Sequence, residues 1–158
     1  MGRFASKVER ILEKLNIIDG YYDEVEGTFA TSGRIPFEYA SIHDGDKTRL
    51  IPAASSAGYG VSCPHCHAGI DENFYDTIND HYEMEDEAGQ EANMNNLVIT
   101  CSKCSNSTRL DKLKFSQPVA FNNQFFELVE IQEEINPELI KKLESKLCCK
   151  LQLIYEQM

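Results

Sequence analysis

The sequence predicts an α+β fold, with a small sheet, N- and C-terminal helices and a cysteine-rich insertion at the centre. Three observations carry that reading. Apolar residues recur at helical spacing at both ends, short β-branched and aromatic runs lie between them, and two Cys-x-x-Cys pairs occupy the middle. The 158 residues, 42% hydrophobic and 26% charged, suit one ordinary domain spanning 1–158. A chain of that length buries about 70% of its unfolded surface. The composition excludes a disordered chain, and no period recurs as a repeat array would require.

The first element is a helix over residues 3–15. Phe4, Val8, Ile11, Leu12 and Leu15 form its apolar face, and Lys7, Arg10, Glu13 and Lys14 its polar one. The stretch from Asn16 to Gly20 ends it as a turn. Met1–Ser6 also fits the short myristoylation pattern, but a helix starting there accounts for the same residues. Thr28–Ala30 reads as a short strand. Ile35–His43 and Lys47–Pro52 then flank Asp44-Gly45, a dipeptide suited to a tight hairpin turn. Ala53–Gly60 is a connector of small residues without the Gly-Lys-Ser/Thr of a phosphate-binding loop.

Ile70, Phe74, Ile78 and Tyr82 recur every four residues and predict a helix over Glu72–Glu83, followed by a solvated acidic loop, Glu83–Asn96. Leu97–Thr100, Thr108–Phe115 and Phe125–Ile131 have strand composition. Asn136-Pro137 supplies an N-cap and a first-turn proline for a last helix with a Leu139, Ile140, Leu143 and Leu147 stripe. Lys141, Lys142 and Lys146 lie toward its C-terminus, as the helix dipole favours. Cys148 and Cys149 end it and read as small buried hydrophobes. Leu151, Leu153 and Tyr155 alternate as a closing strand. This final strand–helix–strand is similar to small uncharacterised bacterial proteins, a similarity that implies no activity. Residues 1–58 and 107–158 are expected to share one core.

The net charge of −11 is unevenly placed. Residues 61–105 hold nine acids against Lys103 alone, and so carry −8 of it. Nucleic-acid binding draws on a basic stripe for counterion release, and here there is none. Anionic membrane surfaces are disfavoured for the same reason. No apolar run approaches the ~18 residues of a membrane span, and no export signal precedes the cysteines. The expected setting is therefore reducing and cytoplasmic, where paired thiols bind metal.

Cys63-Pro64-His65-Cys66 and Cys101-Ser102-Lys103-Cys104 are the sharpest signal. Two cysteines separated by two residues let one tight turn aim both sulfurs at one metal. Two such turns complete a tetrahedral four-sulfur shell suited to Zn²⁺. Four protein ligands leave no open position for substrate water, so the expected role is structural.

Over residues 59–110 the chain resembles the zinc-ribbon proteins, with Cys-Pro-His-Cys-His as the first knuckle. The resemblance implies two facing knuckles, inserted here in the α+β frame. It departs in two places: 34 residues separate Cys66 from Cys101 where 15–20 are usual, and His67 stands where glycine is common. Ribbons serve several functions, so none is implied.

Cys-Pro-His-Cys also resembles the active site of thiol oxidoreductases, with Cys63 and Cys66 as the dithiol and Pro118 as the neighbouring proline. That fold has no need of a second pair, and the apolar βαβ start it requires is missing. His65, His67 or His81 could each replace one thiolate, although soft sulfurs form the preferred shell. No zinc-protease, nucleophile-elbow or calcium-loop pattern occurs, and no catalytic residue is singled out. The favoured class is a zinc-braced accessory or interaction protein with a protein partner. The alternatives are the oxidoreductase and a small-molecule or enzyme domain with a pocket near residues 53–60.

Overall fold

The computed structural model describes residues 2–52, 58–89, 93–95 and 97–155. It is α+β, with three helices and several small antiparallel sheets among the described residues. The order is α1 (Arg3–Lys14), β1 (Ile18–Asp23), β2 (Thr28–Thr31), β3 (Tyr39–Ile51), β4 (Val61–Ser62), α2 (Asp71–Glu87), β5 (Val98–Thr100), β6 (Ser107–Arg109), a 3₁₀ turn (Leu110–Lys112), β7 (Lys114–Phe115), β8 (Ala120–Val129) and α3 (Pro137–Leu147). The chain divides into two compact units, Met1–Gly45 with Asn123–Gln152, and Asp46–Asn122 with Leu153–Met158. The division falls within β3 and within β8.

In the first unit, β1, β2, β3 and β8 follow one another in a four-stranded sheet. Phe29 of β2 lies opposite Ala40 of β3, and both are buried. Val8, Ile11 and Leu12 of α1 pack with Leu139, Leu143 and Leu147 of α3 in the same apolar cluster. Each such side chain contributes about 1.5–3 kcal/mol by leaving water. Asn136 caps α3 by accepting the Glu138 amide at 2.9 Å, with Pro137 in the first turn, as the sequence leads one to expect. Lys7 of α1 donates to the Leu147 carbonyl at 2.8 Å and so satisfies an end of α3.

The start of α1 has no cap from its own neighbours, because Gly2 lacks a side chain. Asp44 of β3 takes that role: its carboxylate accepts the Ala5 amide at 3.0 Å and the Gln124 side-chain amide, also at 3.0 Å. These bonds favour the ionised form and hold the Asp44 carboxyl below the usual range.

That employment of Asp44 explains one correction. The expected hairpin at Asp44-Gly45 does not form, and β3 runs extended through it from Tyr39 to Ile51. The tight turn lies instead between β1 and β2. There Asp23 accepts the Val25 and Glu26 amides at 2.9 and 3.1 Å, and Gly27 adopts φ +71°. Strand β1 is itself unexpected: Asn16, at φ +54°, ends α1, and Ile18 already begins the strand.

At the other end, Leu151–Tyr155 forms no strand. Glu144 of α3 accepts the Leu151 amide at 3.0 Å and the Lys150 ammonium at 3.0 Å, which ties the start of that segment to the helix end. Cys148 and Cys149 are exposed rather than buried, because the apolar stripe of α3 ends at Leu147.

The second unit has its own cluster, built around Tyr59, Val61, Ile70, Phe74, Ile99 and Leu110. Phe74 of α2 meets Tyr59 and Phe115 edge-on, with ring centroids 5.4 and 5.5 Å apart. Helix α2 extends through Glu83–Glu87, which the sequence reading assigns to loop. Glu and Met are good helix formers, and once Phe74 and Ile78 anchor the helix, each added residue gains a hydrogen bond. Past its end, Asn93 accepts the Thr48 amide at 2.9 Å, and the Met94 amide donates to the Thr48 carbonyl at 2.8 Å. Met94 is buried, so the tail of the acidic segment belongs to the core.

Candidate metal centre

Two short turns in the second unit present the four paired cysteines. The first follows β4, which is held from two sides: β7 pairs with it, and Asp71 at the start of α2 accepts the Val61 amide at 3.0 Å. The second turn joins β5 to β6.

The two turns repeat one hydrogen-bond pattern. In the first, the Cys63 amide donates to the Ala68 carbonyl, and the His67 amide to the Cys63 carbonyl, both at 2.9 Å. In the second, the Cys101 amide donates to the Asn106 carbonyl, and the Ser105 amide to the Cys101 carbonyl, again at 2.9 Å. His67 and Ser105 carry the same left-handed backbone, φ +60° and +62°. The glycine expected at position 67 is thus absent, while the conformation that favours glycine is present.

The sulfurs are equivalent in the same way. Cys63 Sγ accepts the His65 amide and Cys101 Sγ the Lys103 amide, each at 3.4 Å. The Ala68 amide reaches Cys66, and the Asn106 amide reaches Cys104. Asn106 adds a side-chain donor to Cys104 Sγ at 3.3 Å. Backbone N–H groups aimed at sulfur lower the energy of a thiolate, as a metal ligand requires.

Across the two turns, Cys63 Sγ lies 3.7 Å from Cys104 Sγ, and Cys66 Sγ lies 3.7 Å from Cys101 Sγ. All four sulfurs fall within 4.8 Å of one another. These separations are far longer than a disulfide, and all four cysteines are free. Cys63 and Cys101 are buried in the apolar cluster, Cys104 is half-buried and Cys66 exposed.

The titration behaviour is that of four thiols crowded together. The Asn106 amide and side chain bring Cys104 down to about 6. The amides of Cys104 and Lys103 lower Cys101. For Cys66, the Ala68 amide lowers the pKa, but desolvation and the three neighbouring sulfurs outweigh it and push the thiol up to about 11. Four converging sulfurs of this kind can hold one metal ion.

No histidine joins the group. His65 and His67 are exposed, and His81 Nε2 pairs with the Asn93 carbonyl at 2.7 Å. Among the described residues, the four cysteines are the one cluster of three or more metal-ligating side chains.

The dithiol alternative finds a different local geometry. In such enzymes a helix begins at the cysteine pair and activates the outer thiol, whereas α2 begins at Asp71, five residues beyond Cys66. Pro118 is exposed. Of the proposed pocket near residues 53–60, 53–57 lie outside the described residues. Tyr59 is buried, and its hydroxyl donates to the Pro52 carbonyl at 2.8 Å. No described helix is long and apolar enough to cross a membrane. No family model matches the chain, and no curated protein or solved structure matches it either.

Proposed function

We propose that Cys63, Cys66, Cys101 and Cys104 hold one Zn²⁺ as a structural brace of zinc-ribbon type, in a non-enzymatic accessory or protein-interaction protein. The repeated turn is the observation that carries this reading. Each pair of cysteines has the same amide-to-sulfur bonds, and the two pairs face each other at 3.7 Å. A regular tetrahedron with Zn–S bonds of ~2.3 Å places its sulfurs about 3.8 Å apart. Two of the sulfur separations therefore already match a zinc shell and all lie within 4.8 Å, so metal entry requires proton release and a slight closing of the cluster.

Four thiolates and one Zn²⁺ leave a net charge of −2, which the amide donors offset locally. A closed four-sulfur shell leaves no position for substrate, which supports bracing over catalysis. The effect on stability is large. Structural zinc contributes ~10–16 kcal/mol in small zinc modules, the order of a domain's whole stability of ~5–15 kcal/mol. The bracing joins the turn after β4 to the β5–β6 hairpin.

A protein partner and a cytoplasmic setting complete the proposal. The −8 carried by residues 61–105 disfavours nucleic acid and anionic lipid, and unpaired exposed thiols suit a reducing compartment. Cobalt(II) substitution tests the site directly. Titration should give the absorption of tetrahedral cobalt thiolate, saturating at one equivalent, and zinc should displace it. A chain that binds no cobalt, and closes a Cys63–Cys66 disulfide on mild oxidation, belongs to the redox class instead.

A further inference from the structure

We propose that the four-cysteine centre is a redox switch: a hydroperoxide oxidises Cys66, Cys101 closes a disulfide with it across the two turns, and the metal is released. The proposal rests on the zinc reading above and adds a regulation to it. Two asymmetries in an otherwise repeated geometry carry it.

The first is access. Cys63 and Cys101 are buried in the apolar cluster and Cys104 is half-buried, whereas Cys66 is exposed. An oxidant arriving from solvent therefore meets Cys66 first. The second is hydrogen bonding. Cys104 Sγ takes two N–H donors from Asn106, the backbone amide and the side chain at 3.3 Å. At the equivalent place, two residues after Cys66, stands Ala68, which offers its amide alone. Each donor draws electron density from sulfur and lowers its nucleophilicity. The more exposed of the two accessible sulfurs is thus also the less deactivated.

The partner sulfur is close by. Cys101 Sγ lies 3.7 Å from Cys66 Sγ on the facing turn. As a zinc-bound thiolate, Cys66 attacks one oxygen of hydrogen peroxide; the S–O bond forms, the O–O bond breaks and hydroxide leaves. The Cys101 thiolate then attacks the sulfenic sulfur; the S–S bond forms, the S–O bond breaks and a second hydroxide leaves. Both hydroxides take up solvent protons to give water. Peroxide gains two electrons, and the two sulfurs supply them. Zn²⁺ keeps only Cys63 and Cys104 of its closed shell and escapes. The disulfide joins the same two turns that the metal joined, so a metal brace is exchanged for a covalent one.

The test treats the full-length, zinc-loaded protein with hydrogen peroxide. Free zinc is read with a chromogenic chelator, sulfenic acid is trapped with dimedone, and disulfides are mapped by mass spectrometry. The expected result is dimedone on Cys66, one Cys66–Cys101 disulfide per zinc released, and recovery of zinc binding after dithiothreitol. Ala68→Asn places a second donor beside Cys66 and should slow release about threefold, the loss that accompanies an about tenfold fall in sulfur basicity. Asn106→Ala frees Cys104 of its extra donor and should bring dimedone to Cys104 as well. Zinc content and circular dichroism before oxidation report that both variants start loaded and folded. A parent chain that refuses zinc overturns the zinc reading, and the switch with it. With zinc bound, the switch alone is overturned by retention of the metal under peroxide, by labelling of Cys104 before Cys66, or by a Cys63–Cys66 disulfide. Unchanged release in Ala68→Asn together with unchanged labelling in Asn106→Ala overturns it too.

Discussion

His67 and Ser105 occupy equivalent positions, each directly after the second cysteine of its pair and each with a left-handed backbone near φ +60°. Neither is glycine, so each side chain sits where L-residues are strained by roughly 1–2 kcal/mol. Replacing either by glycine should stabilise the metal-loaded protein by about 0.5–1 kcal/mol, once glycine's greater unfolded-state entropy is allowed for. His67→Val should do the reverse, because a β-branched residue tolerates that region least. Thermal melts of the three variants measure this, and a lower melting temperature for both glycine variants would contradict it.

The two methionines that bracket the acidic segment should behave oppositely. Met94 is 4% exposed and Met84 69% exposed. Met94→Ala should cost about 2–4 kcal/mol, as large-to-small core changes do, while Met84→Ala stays within about 0.5 kcal/mol. Denaturant midpoints compare them. For the same reason, a deletion meant to remove only solvated chain must spare Asn93 and Met94. Equal effects at the two positions would show that residues 93–95 do not anchor the second unit.

Asp44 should leave a signature in acid. Its carboxyl is held below the ordinary value by the Ala5 amide first and the Gln124 side chain second. A depressed folded-state pKa contributes stability that is present above the unfolded pKa and lost as pH falls through the folded one. Asp44→Asn keeps an acceptor but removes the charge. The variant should be less stable than the parent at neutral pH, and the gap should close as pH drops below the normal carboxylate range. Urea midpoints of the two proteins across that range give the answer; a gap that does not narrow would mean the charge contributes nothing to the cap.

The parts of this molecule that were legible in the sequence are those set by local spacing. Cys-x-x-Cys brings two sulfurs to one turn whatever surrounds it, and Asn136-Pro137 caps α3 with its own atoms. Helix α1 was readable because its apolar stripe is continuous. What escaped depended on distant partners. Asp44-Gly45 has hairpin chemistry, yet its aspartate is drawn to Ala5, 39 residues away, and the strand runs straight. Strand β1 exposes Asp19, Gly20, Tyr21 and Tyr22, and so has no alternation to announce it. The burial of Met94 arises from its pairing with Thr48, and Leu151 bonds Glu144 of α3 where the sequence reading places a closing strand. The equivalence of His67 and Ser105 lies in position alone, directly after each Cys-x-x-Cys pair, and not in residue type. Only the backbone geometry makes it evident.

Metal content is the most direct check on the central claim. The full-length protein, purified under reducing conditions without added metal, should be measured for zinc by elemental analysis beside Cys63→Ser and Cys104→Ser. The expected result is close to one zinc per chain in the parent, with loss of the metal and a sharply lower melting temperature in both variants. A parent chain free of zinc that refuses added zinc, or one whose zinc survives in both variants, would contradict the four-cysteine centre.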